Sequence, residues 1–176
     1  MKKVLVLAGS GIFVFLAACA TTTTGTLLAE TVDVRAEMQE RLNPAMLSIW
    51  GVTNNAMNDA GGIDPSQMDA AKWQQVAAGA DRLAASGRAM AEASAYVAAA
   101  PGNTAVGEGE VTMAAVQRHI DTDPRLFGRM AAAFAAHSEE LAAAARSQDA
   151  AATGDLVAQM DGVCESCHAR FWYPEQ

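Results

Sequence analysis

Five residues near the C-terminal end constrain this chain most strongly, and they read Cys164-Glu165-Ser166-Cys167-His168. A Cys-x-x-Cys-His run is the attachment signature of a c-type haem, because its two thiols add to the haem vinyl groups and the adjoining imidazole binds the iron. On a helix, residues three and four apart project from nearly one face, so both thiols and the imidazole can share one wall of a site. Only eight residues follow His168, so the rest of such a site must come from earlier in the chain.

Two other interpretations of the motif are a thioredoxin-like redox pair and part of a zinc site. A thioredoxin-like Cys-x-x-Cys opens a helix after a strand in a βαβ unit, and the sequence has no strand pattern. Structural zinc needs four ligands, and no second cluster of cysteine and histidine completes them. We therefore predict one covalently bound haem c.

The N-terminal residues have the pattern of an export signal. A short positive start (1–3) precedes an apolar run (4–16) and the small residues Ala17 and Ala18, which lead to Cys19. The run is too short and wrongly flanked for a stable membrane span. Leu16-Ala17-Ala18-Cys19 resembles the lipobox of bacterial lipoproteins, so we predict a signal peptide over 1–18 and lipidation of Cys19. An ordinary signal peptide cut near Ala18 or Ala20 is the alternative, which would give a soluble periplasmic protein.

Export agrees with the haem motif, because haem c is attached on the far side of the bacterial inner membrane. We expect the protein on the periplasmic side of the envelope, held to the membrane only by its lipid. Loss of 18 residues from 176 leaves 158, which suits one domain. It also removes Lys2 and Lys3, leaving ten basic against twenty acidic residues, a formal charge of −10. This charge argues against nucleic acid as a partner and favours an exported redox protein with a basic surface.

The remaining chain predicts an all-α domain. Residues 19–30 are polar and β-branched and predict a flexible tether, and 31–176 form the domain. The expected helices run from 31 to 62 with a break or restart at Asn43-Pro44, from about Ile63 to about Ala99, from about Val111 to Arg146 with a restart at Pro124, and from about Ala151 or Asp155 to Phe171. Without any alternating β pattern, these segments predict an antiparallel four-helix bundle with the haem on the C-terminal helix.

Aromatic and histidine side chains supply further candidates. Trp50 and Trp73 lie on the apolar faces of the first two helices and are expected to pack against the porphyrin. His119 and His137 stand among polar residues and are expected to face solvent. No catalytic dyad, triad or phosphate-binding loop is found, so we expect a carrier or binding protein rather than an enzyme.

A Cys-x-x-Cys-His on the last helix resembles the class II c-type cytochromes, the cytochrome c-prime and c-556 group. The resemblance implies thioether bonds at Cys164 and Cys167, with His168 as the proximal iron ligand. It also implies that the first core helix faces the other side of the iron, with methionine there in six-coordinate members and an apolar residue in gas-binding ones. Met46 is the candidate distal ligand, and Met57 and Met38 are its rivals. A homodimer through the first two helices is familiar in this group and is one arrangement to expect.

The chain departs from the group at one position beside the proximal histidine. Where members usually carry arginine or lysine four residues after that histidine, this sequence has Trp172. Arg170 either substitutes for the missing charge or reaches solvent. Proximal-side chemistry therefore cannot be carried over from the group.

Three functions are consistent with these residues. The leading expectation is electron transfer by an exported cytochrome. The second is a five-coordinate protein that binds nitric oxide or carbon monoxide, and the third is a haem-free lipoprotein with a redox-active cysteine pair.

Overall fold

The computed structural model describes residues 30–173, so the predicted signal peptide, Cys19 and the predicted tether up to residue 29 lie outside the described residues. The helices are α1 (Val34–Glu37), α2 (Asn43–Thr53), α3 (Ala70–Glu92), α4 (Met113–Thr122), α5 (Pro124–Arg146) and α6 (Ala150–Phe171), and two short strands are β1 (Thr31–Asp33) and β2 (Ala95–Val97). Within the described residues, no helix is long and apolar enough to cross a membrane.

Four helical segments form the bundle. The α2 helix packs on α3, α3 packs on α5, and α5 packs on α6, while the shorter α4 lies against α5 and α6. A link of three residues, 147–149, joins α5 to α6, so these two helices run antiparallel. Apolar side chains from all four segments fill the core, including Ile49, Leu83, Leu141 and Met160. The predicted all-α four-helix bundle is confirmed.

Aspartate side chains begin the three longest helices. Asp69 accepts a hydrogen bond from the N–H of Lys72 at 2.8 Å, and Asp123 and Asp149 cap α5 and α6 in the same way. Each such cap contributes about 1 kcal/mol to stability. The α3 helix therefore starts at Ala70 rather than near Ile63, and a 3-10 turn (Pro65–Gln67) precedes it. It ends at Glu92 rather than near Ala99, because the chain then enters β2.

At Asn43-Pro44, where a break or restart is expected, α2 starts without any break, and the chain stays helical from 34 to 53. A π turn (Met38–Leu42) connects α1 to α2, and the N–H of Asn43 donates to the carbonyl of Met38, five residues back. Proline lacks an N–H and its ring crowds the carbonyl four residues before it. The wider turn just before Pro44 is where the helix accommodates this constraint.

A parallel strand pair was not predicted from the sequence. Val32 of β1 pairs with Tyr96 of β2, so the start of the domain is joined to the segment after α3. The Asp33 carboxylate strengthens the joint, because one oxygen caps α1 and the other accepts from the N–H of Ala100 at 2.8 Å. The pair fixes the direction in which α1 leaves the loop region.

Candidate functional site

The three motif residues lie together on α6 and line one cavity. Cys164, Cys167 and His168 are half-buried and face a space of about 330 Å³ between α6 and the other bundle helices. This volume lies at the lower end of the range for small-molecule and cofactor sites, roughly 300–1,000 Å³. The other lining residues are Met38, Leu42, Asn43, Met46, Leu47, Trp50, Leu83, Met90, Phe127, Met130, Ala131 and Phe134.

The lining is suited to a large apolar group. It contains aliphatic, thioether and aromatic side chains and no aspartate, glutamate, lysine or arginine. The Leu47 side chain is 64 % exposed, so the cavity reaches the surface beside α2. A flat porphyrin can contact such walls while one edge stays accessible.

Burial keeps the two thiols protonated. It raises the pKa of Cys164, with Asp161 adding to the effect, and it raises the pKa of Cys167 to about 11, with Cys164 adding to it. The two cysteines are free in the structure. A reactive redox pair instead has a thiol whose pKa is lowered, so this environment argues against the thioredoxin-like interpretation.

The imidazole of His168 is held in its neutral form. Burial lowers its pKa, and the nearby carboxylate of Glu165 opposes that shift only in part. A neutral ring nitrogen is the form that binds a metal. Among residues 30–173, no group of three or more histidine, cysteine or acidic side chains is placed to hold a metal ion by itself. One imidazole and two thiols on an apolar cavity therefore fit an iron that a porphyrin already holds.

The structure brings Met46 and Trp50 to this cavity and leaves Met57 away from it. The Met46 side chain is 7 % exposed and lies on α2, whose cavity-facing residues also include Trp50. Met38 lines the cavity from the π turn. Met57 is 53 % exposed beyond the end of α2 and borders a different depression, so the geometry does not favour it as a ligand.

Trp73 does not lie where the sequence interpretation placed it. It is buried, but it lines a separate surface depression with Asp81 and Arg146, which form an ion pair there. Leu83, the first α3 residue at the cavity, lies ten positions later, about 15 Å along the helix axis. The predicted porphyrin contact of Trp73 is therefore not supported.

The expectation that His119 and His137 face solvent is wrong. Both are half-buried. His119 Nδ1 lies 3.0 Å from the carbonyl oxygen of Phe171, and His137 Nε2 lies 2.9 Å from that of Leu156. Both rings thus bind the backbone of α6 and fix the helix that carries the motif.

Several cavity residues were not identified from the sequence. Met90 on α3 and Met130 on α5 give the cavity two further thioethers, and Phe127 and Phe134 add aromatic walls. Phe127, Met130 and Phe134 stand at i, i+3 and i+7, so helical periodicity marked their face as apolar. It gave no sign that this face borders a cavity.

Comparison with known proteins supplies the family. A family model described as Cytochrome C' matches residues 52–172, which include the motif and three of the four bundle segments. The match begins at Val52, so Met46 and Trp50 lie outside it, and their placement rests on the cavity alone. The searches of curated proteins and of solved structures give no match. The matched range and the helical bundle around the motif show that this chain belongs to the cytochrome c' family, whose members bind one covalent haem c.

Proposed function

We propose that this haem-binding cytochrome carries single electrons between exported redox proteins. In this proposal Cys164 and Cys167 form the thioethers and His168 is the proximal ligand. The observation that supports this proposal is that all three side chains, which lie on α6, line the same apolar cavity. Members of the family are exported to the periplasm, where c-type haem is attached.

The chain's own residues suit outer-sphere electron transfer. When bound, the haem iron supplies a one-electron redox couple. Asp149 in the link caps α6, and His119 on α4 and His137 on α5 form hydrogen bonds to its backbone, so the ligands on α6 move little when the charge changes. The exposed Leu47 marks where the cavity meets the surface, and a partner could approach the porphyrin edge there.

Met46 is the proposed distal ligand. Its side chain is buried and lines the cavity from α2, whereas His168 lines it from α6. A thioether ligand favours Fe(II) and raises the reduction potential relative to a second imidazole. Met38, Met90 and Met130 also line the cavity and are the rivals that an experiment must separate.

Gas binding is the second candidate, and the charge-free lining of the cavity favours it. If no thioether binds the iron, small neutral molecules can enter at little cost in free energy, because no charged side chain of the lining holds water in the cavity. The carrier and gas-binding proposals therefore differ in one measurable property, the coordination of the reduced iron.

The test compares Met46→Leu with Met57→Leu in protein matured with its haem. The carrier proposal expects a low-spin reduced spectrum in the wild type and in Met57→Leu, and a high-spin spectrum in Met46→Leu. A wild type that is already high-spin when reduced, and that binds carbon monoxide without delay, supports gas binding instead. A low-spin Met46→Leu variant assigns the ligand to another methionine. A pyridine haemochrome assay on the Cys164→Ala/Cys167→Ala variant tests covalent attachment separately.

Anchoring and partners belong to the same proposal. Lipidation at Cys19 would tether the domain to the envelope, and the formal charge of −10 favours a partner with a basic surface. Mass spectrometry of the mature N-terminus tests the first point, because a diacylglyceryl cysteine differs in mass from a free one. Steeply salt-dependent electron transfer to a basic partner supports the second. Sedimentation of the mature domain tests the proposed homodimer.

A further inference from the structure

The chain folds back on His168 at the end of α6. The carbonyl oxygen of His168 accepts hydrogen bonds from the N–H groups of Trp172 at 2.8 Å and Tyr173 at 3.0 Å. This tight C-terminal turn brings two aromatic side chains beside the imidazole that precedes them.

Both rings contact the imidazole at aromatic-pair distances. The Trp172 ring centroid lies 5.6 Å from that of His168, nearly edge-on at 66°, and the Tyr173 centroid lies at 6.2 Å and 56°. Aromatic pairs are favourable at separations of about 4.5–7 Å, and edge-to-face contacts are among the preferred geometries. The two rings therefore restrain the orientation of the imidazole.

A hydrogen bond holds this arrangement closed. The hydroxyl of Tyr173 donates to the carboxylate of Glu165 across 2.6 Å, a length typical of a strong, charge-assisted bond. Glu165 precedes His168 and Tyr173 follows it, so the bond closes a loop around the histidine. Tyr173 is 44 % exposed, and this bond holds its ring at an otherwise open surface. We call Glu165, Trp172 and Tyr173 the proximal clasp.

A second, smaller cavity beside His168 is the place where the clasp limits access of water. About 30 Å³ of space lies beside His168; mainly apolar residues of α1, α4, α5 and α6 line it, together with the charged Arg35 and with Trp172 as one wall. Such a space is large enough for a water molecule, which needs about 10–15 Å³ by this kind of measure. The space is already partly open to the surface, and removing the indole would widen that opening and bring more water to the imidazole.

We propose that the proximal clasp shields the His168 imidazole from water and that Trp172, as a positioning residue, thereby raises the reduction potential of the iron. Solvent access and local dielectric control the potential of a metal site. Water at the proximal ligand stabilises the more highly charged Fe(III) form, so an open clasp lowers the potential. The inference rests on the proposed role of His168 as iron ligand.

The experiment measures midpoint potential and visible spectra of haem-loaded variants. Trp172→Ala is expected to raise the ratio of oxidised to reduced protein at fixed potential at least threefold, a downward shift of about 30 mV at 59 mV per tenfold. Trp172→Phe keeps an apolar ring and is expected to stay within 1.5-fold of the wild type. Tyr173→Phe loses the bond to Glu165 and is expected to shift in the same direction as Trp172→Ala, by less. Trp73→Phe, remote from the cavity, is the control for aromatic substitution and is expected to leave the ratio unchanged.

Three results would overturn the inference. The first is a Trp172→Ala protein with attached haem and an unchanged potential. The second is an equal shift in Trp172→Ala and Trp172→Phe. If Trp172→Ala yields no folded protein, an unchanged potential in Tyr173→Phe, an exposed position, refutes the clasp. His168→Ala separates this failure from failure of the proposed function, because an unchanged spectrum in that variant removes His168 as ligand whatever the clasp does.

Discussion

Gly79→Ala tests whether the close approach of α2 and α3 holds the distal wall of the haem cavity in place. A Cβ at position 79 would lie 2.7 Å from Cγ1 of Ile49 and 3.3 Å from the carbonyl oxygen of Ala45. Carbon atoms pack best at about 3.5–4.0 Å, so α2 must move away or Ile49 must leave its position. Ile49 is fully buried, which leaves its side chain little room.

The expected cost follows from two opposing terms. Overpacking in a core costs roughly 1–3 kcal/mol, and replacing a helical glycine by alanine returns about 1 kcal/mol. The net loss in free energy of unfolding is therefore about 0–2 kcal/mol, or a fall in Tm of up to about 8 °C for a domain of this size. Because α2 carries Met46, the substitution also raises the high-spin fraction of the reduced protein if that residue is the ligand.

Urea and thermal unfolding of haem-loaded protein measure the change, with Gly162→Ala as the matched control. Gly162 lies within α6, and a Cβ there meets nothing within 4 Å, so that variant should gain up to about 1 kcal/mol. In the double variant with Ile49→Ala, the loss should be smaller than the sum of the two single losses. A Gly79→Ala protein as stable as Gly162→Ala would refute the packing argument.

Two further predictions concern α6. Because burial raises the pKa of Cys167 to about 11, alkylation of that thiol in folded haem-free protein should be slow at pH 8 and accelerate towards pH 11. The stability that its protonated form contributes is complete below the unfolded pKa of about 9 and is lost as pH rises through the folded value. Equal alkylation rates for folded and urea-unfolded protein at pH 8 would contradict this burial. His119→Ala removes the hydrogen bond to the Phe171 carbonyl and should lower the free energy of unfolding by about 1 kcal/mol, measured by urea titration. An unchanged urea midpoint would show that the bond does not hold α6.

The sequence predicted those features that depend on local pattern. The last helix ends at Phe171 as expected, and it begins at Ala150, next to Ala151, the earlier of the two expected starts, and not near Asp155. On α3, the apolar period correctly assigned Trp73 to the buried side. Periodicity, however, fixes only the face of a helix. Which part of that face borders the cavity depends on height along the axis, and this is why Trp73 was placed at the wrong end.

Contacts between distant segments left no local signal. The two strands have three residues each and pair across more than sixty positions, too short for an alternating pattern to register. The polar neighbours of His119 predicted a solvent-facing side chain, yet the ring pairs with the backbone carbonyl of Phe171. Every residue has a backbone carbonyl, so the sequence could not indicate this partner. The proximal clasp had a visible component in Trp172. The hydrogen bond between Tyr173 and Glu165 that closes the clasp depends on the turn at the end of α6, and no local pattern in the sequence predicted it.

The π turn before Pro44 has a consequence for comparing related chains. A turn of this kind contains one residue more than the α-helix it replaces, and each residue of an α-helix rotates the chain by about 100°. A relative lacking that single residue would keep Met46 facing the cavity but would turn Met38 away from it. It would also rotate the Asp33 carboxylate away from the N–H of Ala100, whose hydrogen bond it accepts. A one-residue gap between positions 38 and 42 should therefore occur together with loss of the paired strands.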